Sequence, residues 1–369
     1  MYPALSVLQE IRRQQNSGAG SEAVQVLYVG ASNGLEKDIV PKEGGYPFAA
    51  LKVRGLRGAN PWALAGGSMR MTAAVGKAHG LIGAFRPQVV FGTGGYVCVP
   101  VFLAAWMRRV PSVLFLPDLV PGWAGRFLAR FATRVCVAFA DSAMHLPGGK
   151  TVVTGYPVRA SLLEASRESG RRYFGMRDGE QVVLVFGGSR GAHSINLMLQ
   201  AALPRLLDHC AVIHVSGAAD YAELAAWREG LPKDRQRRYH LHAYLHDEMA
   251  SALAAADLAV CRSGASTLAE LPLFALPAVL IPYPYAGAHQ ELNAQYLARH
   301  GASVRVTEQE LGFDPQAAGH AGDRLASAVL ALLEDRRRLG EMAACAGRLA
   351  RPEAARVLVQ QIEELVGSA

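Results

Sequence analysis

Short, continuously apolar runs alternate with helical patterns along nearly the whole chain. The runs are rich in Val, Ile and Leu, and examples lie at residues 24–29, 89–91, 113–116, 135–138, 182–186, 212–215, 258–261 and 278–281. Segments with apolar positions at helical spacing, such as 194–207, 265–273 and 291–300, lie between them. Strands that are apolar on both faces are typical of parallel sheets covered by helices. The pattern therefore predicts an α/β fold of doubly wound parallel sheets.

The alternation is interrupted once and restarts near Val182. The interruption, at residues 157–180, is polar and charged, with clustered Gly and Arg residues. A chain of 369 residues is long enough for two domains of roughly 150 residues each. We therefore expect an N-terminal domain of residues 1–158 and a C-terminal domain of residues 159–350. We expect a last helix, at 351–369, to pack back on the N-terminal domain.

Composition narrows the class of protein. With 51% hydrophobic and 19% charged residues, the chain is globular rather than disordered. Its formal net charge of +7 favours anionic partners such as a phosphorylated ligand, an anionic bilayer or nucleic acid, although a basic surface alone would give the same value. Nothing besides the charge favours nucleic acid, and we expect no such partner.

Cysteines and apolar runs bear on location. The five cysteines are widely spaced and form no Cys-x-x-Cys pair, which is typical of reduced thiols in the cytoplasm. The longest apolar run, residues 97–107, is shorter than the ~18 residues that a membrane span needs. No signal peptide is visible. Any contact with a membrane would therefore be peripheral.

Two glycine-rich turns follow apolar runs, at residues 92–96 and 187–192. Glycine allows sharp turns and lets backbone N–H groups approach a ligand closely. A helix that begins behind such a turn adds a partial positive charge that suits phosphate. Neither turn has the full Gly-x-Gly-x-x-Gly or Walker A pattern, and a tight strand-to-helix turn with no ligand would have the same sequence.

A third segment, 262–270, opens a helix with small residues and so leaves its first N–H groups accessible. Ser266 and Thr267 add hydroxyl donors for phosphate. Glu270 lies about one turn further on, where it can accept hydrogen bonds from a ribose diol or simply face solvent. Downstream, His289, Gln290 and Asn293 enter a helix and offer neutral hydrogen-bond partners for a sugar, or cap that helix.

Eight segments, in order, resemble the MurG family, which transfers N-acetylglucosamine (GlcNAc) from UDP-GlcNAc to lipid I and so makes lipid II for peptidoglycan. They are 2–5, 92–96 with Pro100, 120–122, 154–159, 187–192, 213–217, 262–270 and 289–294. The resemblance implies a GT-B fold, in which two Rossmann-like domains face each other across a cleft. It also implies a cytoplasmic enzyme, peripheral on the inner face of the cell membrane.

The resemblance further implies that the C-terminal domain binds UDP-GlcNAc. Ser266, Thr267, Ser189 and Arg159 would lie at the diphosphate, Glu270 at the ribose, Leu245 and His246 at the uracil, and Ala265, His289, Gln290 and Asn293 around the sugar. The N-terminal domain would bind the polyprenyl-diphosphate lipid acceptor at a turn formed by Thr93, Gly94, Gly95 and Tyr96.

The implied reaction is a direct displacement with inversion. The C4 hydroxyl of the acceptor attacks C1 of the donor sugar, UDP leaves, and a base takes the hydroxyl proton. Hydroxyls, N–H groups and Arg159 would stabilise the leaving diphosphate. No Asp-x-Asp motif argues for a metal, and we expect neither a metal nor a cofactor.

The sequence departs from the family at two places. The family begins with a strand and a Gly-rich loop ending in His, directly before the Tyr-Pro-Ala-Leu helix, whereas this chain begins just after that His. We expect that the protein starts upstream of Met1; a degenerate, inactive copy is the alternative. The family also has His-Glu-Gln-Asn where residues 115–118 are Phe-Leu-Pro-Asp. Asp118 could orient the acceptor or act as catalytic base, or it could cap the turn before Pro121.

A basic, amphipathic region at residues 54–86 could rest on an anionic leaflet. Its apolar members could equally be core. They are Trp62, Leu64, Met69, Met71, Leu81 and Phe85, among Arg54, Arg57, Arg70, Lys77 and Arg86.

Two other functions stay open. One is a related glycosyltransferase that acts on another lipid acceptor, and the other is a non-catalytic protein that binds a UDP-sugar. A dehydrogenase is disfavoured because no complete dinucleotide-binding motif is present. The sequence leaves the base, the exact acceptor, the oligomeric state and any protein partners undetermined.

Overall fold

A computed structural model describes residues 2–16, 24–34, 36–37, 40–41, 45–53, 61–188, 191–285 and 289–367, with residues 61–70 described by backbone alone. The chain divides into two compact units. Unit 1 comprises residues 1–160 and 352–369, and unit 2 comprises residues 161–351.

The described part of unit 1 contains six short parallel strands. Their bounds are β1 Tyr28–Ala31, β2 Phe48–Leu51, β3 Val90–Gly92, β4 Ser112–Leu116, β5 Arg134–Val137 and β6 Thr151–Val153. The described strands form two sheets, β1-β2 and β3-β4-β5-β6, and β1 and β3 are both edge strands. The helices are α1 Tyr2–Asn16, α2 Pro61–Phe85, α3 Cys98–Met107, α4 Trp123–Leu128 and α5 Ala140–Ala143.

Residues 157–180, which the sequence suggests as a polar crossing, include two short helices, α6 Ala160–Glu164 and α7 Arg167–Tyr173. Helix α7 begins with a capping box in which the Ser166 hydroxyl accepts from the Ser169 amide. Arg167 Nη2 lies 2.6 Å from Asp257 Oδ1, and Asp257 Oδ2 in turn accepts from the Val182 amide. The second part of this crossing is therefore an integral element of unit 2.

The described residues of unit 2 form a six-stranded parallel sheet in the order β12-β11-β10-β7-β8-β9. Its strands are β7 Val182–Phe186, β8 Ala211–Val215, β9 Tyr239–His242, β10 Leu258–Cys261, β11 Ala278–Leu280 and β12 Ser303–Arg305. Numbered within the unit, this order is 6-5-4-1-2-3, the doubly wound order of nucleotide-binding folds, in which ligands bind where the strands end.

Helices cover the unit 2 sheet. They are α8 His193–His209, α9 Ala218–Glu229, α10 Lys233–Arg238, α11 Glu248–Ala255, α12 Thr267–Leu273, α13 His289–Arg299, α14 Glu308–Leu311, α15 Gly319–Glu334 and α16 Arg336–Leu349. The core includes Ile195, Met198 and Leu203 from α8, against Val185 and Val260 in the central strands, all of them fully buried or nearly so. Helix α10 is mostly basic.

The last helix, α17 Ala354–Val366, belongs to unit 1 and packs against α1. Its Gln361 and Glu364 side chains accept hydrogen bonds from Arg134 on β5. The buried face of α17 includes Leu358, Val359 and Leu365. The chain therefore returns to unit 1 after unit 2 is complete.

Candidate functional site

Most of the predicted donor residues lie at one edge of the unit 2 sheet. Because all six strands are parallel, their carboxyl ends meet at the same edge, which we call the carboxyl edge. Three connections leave that edge after β9, β10 and β11 and contain nine predicted residues. They are Leu245 and His246, then Ala265, Ser266, Thr267 and Glu270, then His289, Gln290 and Asn293. Ser189, predicted at the diphosphate, lies outside the described residues.

The glycine-rich turn after β7 is folded tightly, with glycine required at two described positions. A Cβ at Gly187 would lie 2.3 Å from the Ala192 amide nitrogen. Gly191 has a φ of +75°, and a Cβ there would lie 2.3 Å from the Ser216 carbonyl oxygen. The turn therefore needs both the left-handed backbone and the missing side chain of glycine.

The segment after β10 brings hydroxyl groups to the start of α12. The amides of Ala269 and Glu270 both donate to the Ser266 carbonyl at 2.9 Å, while the Ser266 side chain makes no capping hydrogen bond. Thr267 is buried, and Glu270 is half-buried in the first turn. This arrangement places two hydroxyls and a carboxylate within one helical turn.

The residues predicted at the sugar also link neighbouring loops. Asn293 is buried, and its amide nitrogen donates to the Ser263 carbonyl at 2.9 Å. The Ser263 hydroxyl donates to the Gln290 carbonyl at 2.7 Å, and the Gln290 side-chain oxygen accepts from the Tyr283 amide at 3.0 Å. One polar atom of the Gln290 side chain and one of the Asn293 side chain therefore link neighbouring loops.

The connection after β9 contains the residues predicted at the uracil. Leu245 is buried, whereas His246 is exposed with its ring 4.6 Å from that of Tyr244. The His246 amide donates to Glu248 Oε2 at 3.0 Å. Hydrogen bonds from the amides of Glu248 and His246 lower the pKa of the Glu248 carboxyl. Tyr244, an exposed aromatic beside the predicted pair, was not among the residues predicted from sequence.

Arg159, predicted at the diphosphate, belongs to unit 1. Its guanidinium carbon lies 5.5 Å from the centre of the Tyr2 ring, at the start of α1. The geometry is that of a cation–π contact. A role of Arg159 at the donor stays a prediction.

The predicted acceptor turn follows β3 in unit 1. Gly94 and Gly95 have φ values of +79° and +84°, so two successive residues use the left-handed region that favours glycine. The Cys98 thiol donates to the Gly94 carbonyl at 2.8 Å. Burial raises the pKa of Cys98 to about 11, which keeps the thiol protonated as a donor at neutral pH. Thr93 is half-buried and Tyr96 is exposed at the same turn.

Asp118 follows β4, which pairs with β3 in parallel, so both connections leave the same edge of the sheet. The Asp118 side chain is exposed, and its carbonyl accepts from the buried Ser142 hydroxyl at 3.1 Å. Leu119 is buried beside it. The turn is therefore anchored through its backbone and its next residue, while the carboxylate reaches solvent.

Two residues of the region predicted to meet a membrane, Met71 and Leu81, pack against the unit 1 core instead. The side chains of Trp62, Leu64 and Met69, and of Arg54, Arg57 and Arg70, lie outside the described part of the chain. Phe85 lines a cavity of about 370 Å³ near the amino ends of β1 and β2, with Leu8, Ile11 and Tyr46. No predicted ligand-binding residue lines that cavity.

The described residues contain no group of three His, Cys, Asp or Glu side chains placed to hold a metal ion. They also contain no helix long and apolar enough to cross a membrane.

Arg262 is the main residue of this edge to which sequence reasoning assigned no role. It is the first residue after β10 and is only 7% exposed. Arg262 belongs to the segment 262–270 that the sequence singles out. The burial of its guanidinium becomes visible only when the positions of the surrounding loops are known.

Comparison with known proteins agrees with this organisation. Residues 1–137 match the N-terminal domain of glycosyltransferase family 28, and residues 182–361 match its C-terminal domain. Two relatives, from Roseiflexus sp. (strain RS-1) and Desulforudis audaxviator, are both named UDP-N-acetylglucosamine–N-acetylmuramyl-(pentapeptide) pyrophosphoryl-undecaprenol N-acetylglucosamine transferase. The first is 41% identical, covering 99% of this chain and 92% of the relative. The second is 40% identical, covering 100% of this chain and 95% of the relative.

Solved structures show the same fold. MurG of Acinetobacter baumannii matches with a TM-score of 0.72 at 26% identity, covering 98% of this chain and 95% of that one. A UDP-GlcNAc 2-epimerase from Neisseria meningitidis, bound to UDP-GlcNAc, matches with a TM-score of 0.63 at 13% identity and so shares the fold alone. The predicted α/β class with two doubly wound domains of GT-B type is confirmed. The chain belongs to the MurG family within glycosyltransferase family 28.

Proposed function

We propose that this protein transfers GlcNAc from UDP-GlcNAc to the C4 hydroxyl of the N-acetylmuramyl sugar of lipid I, with inversion at the donor carbon. The main support is the carboxyl edge of unit 2, where hydroxyl, carboxylate and amide side chains converge on loops of a doubly wound sheet. The curated relatives are named for the same transfer.

The donor is bound by unit 2 in this proposal. The diphosphate lies at the tight turn after β7 and at the Ser266 and Thr267 hydroxyls, where N–H groups at the start of α12 favour negative charge. Glu270 accepts hydrogen bonds from the ribose diol. The Asn293 oxygen and the Gln290 nitrogen face the sugar, because the other polar atom of each side chain links loops.

The acceptor is bound by unit 1. Backbone N–H groups of the turn at Gly94 and Gly95 approach the lipid diphosphate, since neither residue has a side chain in the way. Asp118 takes the proton of the attacking hydroxyl and is thus the proposed catalytic base. Stabilisation of the leaving UDP comes from the hydroxyls and N–H groups of the donor site, with Arg159 as the proposed cation.

Docking on the cytoplasmic face of the membrane is the second part of the proposal. Trp106 and Trp123 are 58% and 73% exposed, unusually high for such side chains. Phe131 and Phe127 connect them, with neighbouring ring centres 5.1 to 5.4 Å apart. We call these four residues the aromatic face. Aromatic side chains of this kind are enriched at the interface between membrane and water.

The charge around the aromatic face suits an anionic leaflet. Arg108, Arg109, Arg126 and Arg130 are exposed on the same helices or directly beside them. Residues 44–163 contain thirteen Lys and Arg side chains but only two acidic ones, Asp118 and Asp141. Each basic side chain near an anionic surface contributes about 1 kcal/mol. This face would bring the acceptor turn to its membrane-bound lipid.

Binding to vesicles tests the docking surface. We expect the full chain to sediment with vesicles that contain phosphatidylglycerol and to release at high salt. Replacing both Trp106 and Trp123 with Ser should weaken that binding about tenfold, because apolar area no longer enters the interface. Tyr173→Ser is the control, since Tyr173 is 59% exposed in unit 2. Equal binding by all three proteins would remove this surface from the proposal.

A second acceptor class is favoured by one observation. Phe115 and Leu116 are fully or almost fully buried, so at these positions the polar side chains of the family are replaced by core residues. A related glycosyltransferase that acts on another lipid would share the donor site and differ at this strand end. A protein that only binds the UDP-sugar would differ from both transferases because it would transfer no sugar.

Sugar transfer tests the proposed function. Labelled UDP-GlcNAc is incubated with this protein and a lipid I analogue, and transfer to the lipid supports the proposal. Binding of UDP-GlcNAc without transfer would contradict the lipid I assignment and favour another acceptor or a binding protein.

A further inference from the structure

A buried guanidinium lies at the carboxyl edge of unit 2, with no proposed contact to either substrate. Arg262 is 7% exposed, and its side chain lies among the ends of the central strands. Removing a charge from water is costly unless the charge is paired and its N–H groups are hydrogen-bonded. The contacts of Arg262 should therefore explain why a cation is kept there.

Each contact of the guanidinium reaches a different segment of the edge. Nη1 donates to the carbonyls of Ile281 and Pro282, after β11, at 3.0 and 3.2 Å. Nη2 donates to the Ser194 hydroxyl on α8 at 2.7 Å and to Glu308 Oε1 on α14 at 2.6 Å. The guanidinium carbon also lies 5.2 Å from the centre of the Tyr283 ring.

These partners connect the loops that contain the proposed donor residues. Ser194 follows the glycine-rich turn, and its hydroxyl donates to Glu308, so Arg262, Ser194 and Glu308 form a closed triad. The next residue, Ser263, hydrogen-bonds Asn293 and Gln290 through its carbonyl and hydroxyl. Two adjacent residues thus link four strand ends of the sheet.

We propose that Arg262 is a positioning residue, which with Ser194 and Glu308 fixes the spacing between the glycine-rich turn, the start of α12 and the loop after β11. This inference rests on the proposed function, because it assigns donor binding to those three segments. The planar guanidinium reaches both carbonyls together with Ser194 and Glu308. A lysine ammonium could not do so, because it is a point charge at the end of a flexible chain. The shape of the arginine side chain is therefore required as well as its positive charge.

The consequence for the reaction is specific. Fixed loops bind the donor equally well before and during transfer, so loosening them raises KM for UDP-GlcNAc and changes kcat little. A structural role confined to folding would instead lower the amount of active protein and leave KM unchanged. The two roles are separated by the ratio of the effects on KM and kcat.

The test uses the full chain with Arg262→Lys, and Glu308→Gln as a second variant that keeps the side-chain shape. We expect Arg262→Lys to raise KM and the dissociation constant for UDP-GlcNAc about 10- to 100-fold, since hydrogen bonds to charged groups are lost. Glu308→Gln should act in the same direction with a smaller effect. The double variant should lose less binding free energy for UDP-GlcNAc than the two single variants lose together, because both residues act in one network.

Arg235→Lys is the matched control. Arg235 makes a bidentate contact with Asp208 in the same unit, but near the amino ends of β8 and β9. We expect its KM for UDP-GlcNAc to equal that of the wild type. If Arg262→Lys and Glu308→Gln also match the wild type in KM, or if only the folded fraction falls, the positioning role is wrong. Should Arg262→Lys fail to fold, Glu308→Gln and Ser194→Ala decide by the same criterion.

Hydrogen exchange separates this inference from the proposed function. Without ligand, Arg262→Lys should speed amide exchange in residues 191–196, 281–285 and 306–311 relative to Arg235→Lys. Faster exchange in a protein whose wild type binds no UDP-GlcNAc would uphold the positioning role and overturn the donor assignment. Unchanged exchange together with normal UDP-GlcNAc binding would overturn the positioning role alone.

Discussion

The two units resemble each other in class and differ in how their ligand edges are built. Unit 2 has one continuous sheet of six strands, and its loops are linked by buried side chains such as Arg262 and Asn293. In unit 1 the described strands form two separate sheets. Its turns are anchored more locally, by the Cys98 thiol on Gly94 and the Ser142 hydroxyl on the Asp118 carbonyl.

Charge differs between the regions as well. Residues 44–163 contain thirteen basic and two acidic side chains, while the whole chain has a net charge of +7, so the remainder of the chain is net negative. In our account both units bind a diphosphate with backbone N–H groups, to which unit 2 adds hydroxyls, and unit 1 also meets the anionic leaflet with cations. One fold class thus supports two ways of binding an anion.

The largest expected effect concerns the acceptor side. Asp118→Asn keeps the size of the side chain but removes the proposed base. We expect kcat for GlcNAc transfer to fall roughly 10²- to 10⁴-fold, with the calorimetric affinity for UDP-GlcNAc unchanged. Asp141→Asn is the control, because Asp141 is the other acidic residue of the basic region. Wild-type turnover by Asp118→Asn would show that the proton is taken by another group.

The second expected effect compares glycine-rich turns of the two units. Gly191→Ala and Gly95→Ala both put a side chain on a left-handed backbone, which costs about 1–2 kcal/mol. At Gly191 the new Cβ would also collide with the Ser216 carbonyl, whereas at Gly95 no atom lies within 4 Å. Gly191→Ala should therefore lower the free energy of unfolding more, as measured by denaturant titration. A larger loss from Gly95→Ala would reverse this comparison.

The last expected effect is a pH dependence that arises in unit 2. Burial lowers the pKa of His214 to about 3, and burial also lowers the pKa values of His240 and His242. His214 lies between the Tyr239 hydroxyl and the Asn196 side-chain oxygen, at 2.8 and 3.0 Å. Because the folded pKa of His214 is depressed, its contribution is complete above pH 6.5 and is lost as the pH falls towards 3.

In that pH range the unfolded chain binds a proton that folded His214 does not bind. The free energy of unfolding should therefore fall by about 1.4 kcal/mol per pH unit for this histidine. His214→Asn should show a slope between pH 6 and pH 4 that is smaller by this amount, measured by urea unfolding at each pH. Equal slopes in the two proteins would mean that His214 becomes protonated in the folded state.

The sequence predicts the strands well where they are long and apolar. The predicted bounds of β7 and β10 agree with the structure because Val182–Phe186 and Leu258–Cys261 are uniformly apolar and fully buried or nearly so. Four other strands, β2, β6, β9 and β12, match none of the apolar runs named from the sequence. They contain small or polar residues, as in Tyr-His-Leu-His of β9, and become strands only because a neighbouring strand pairs with them.

The candidate site was accessible from sequence only in part. The motif at 262–270 indicated where hydroxyls and a carboxylate would lie, because residues after a strand in a parallel sheet reach the ligand edge. The partners of Arg262 are up to 68 positions away in sequence, and no local spacing reveals them. The same holds for the aromatic face, where Trp106 and Phe131 meet across separate segments.

Calorimetric titration of the full chain with UDP-GlcNAc tests the central claim that the carboxyl edge of unit 2 is the donor site. The account predicts one equivalent bound by the wild type and an affinity about 10- to 100-fold weaker for Glu270→Ala, which loses hydrogen bonds from the ribose to a charged group. Glu334→Ala, which removes an exposed carboxylate at the end of α15 in the same unit, should bind like the wild type. Equal affinities for all three proteins, or no binding by the wild type, would contradict the claim.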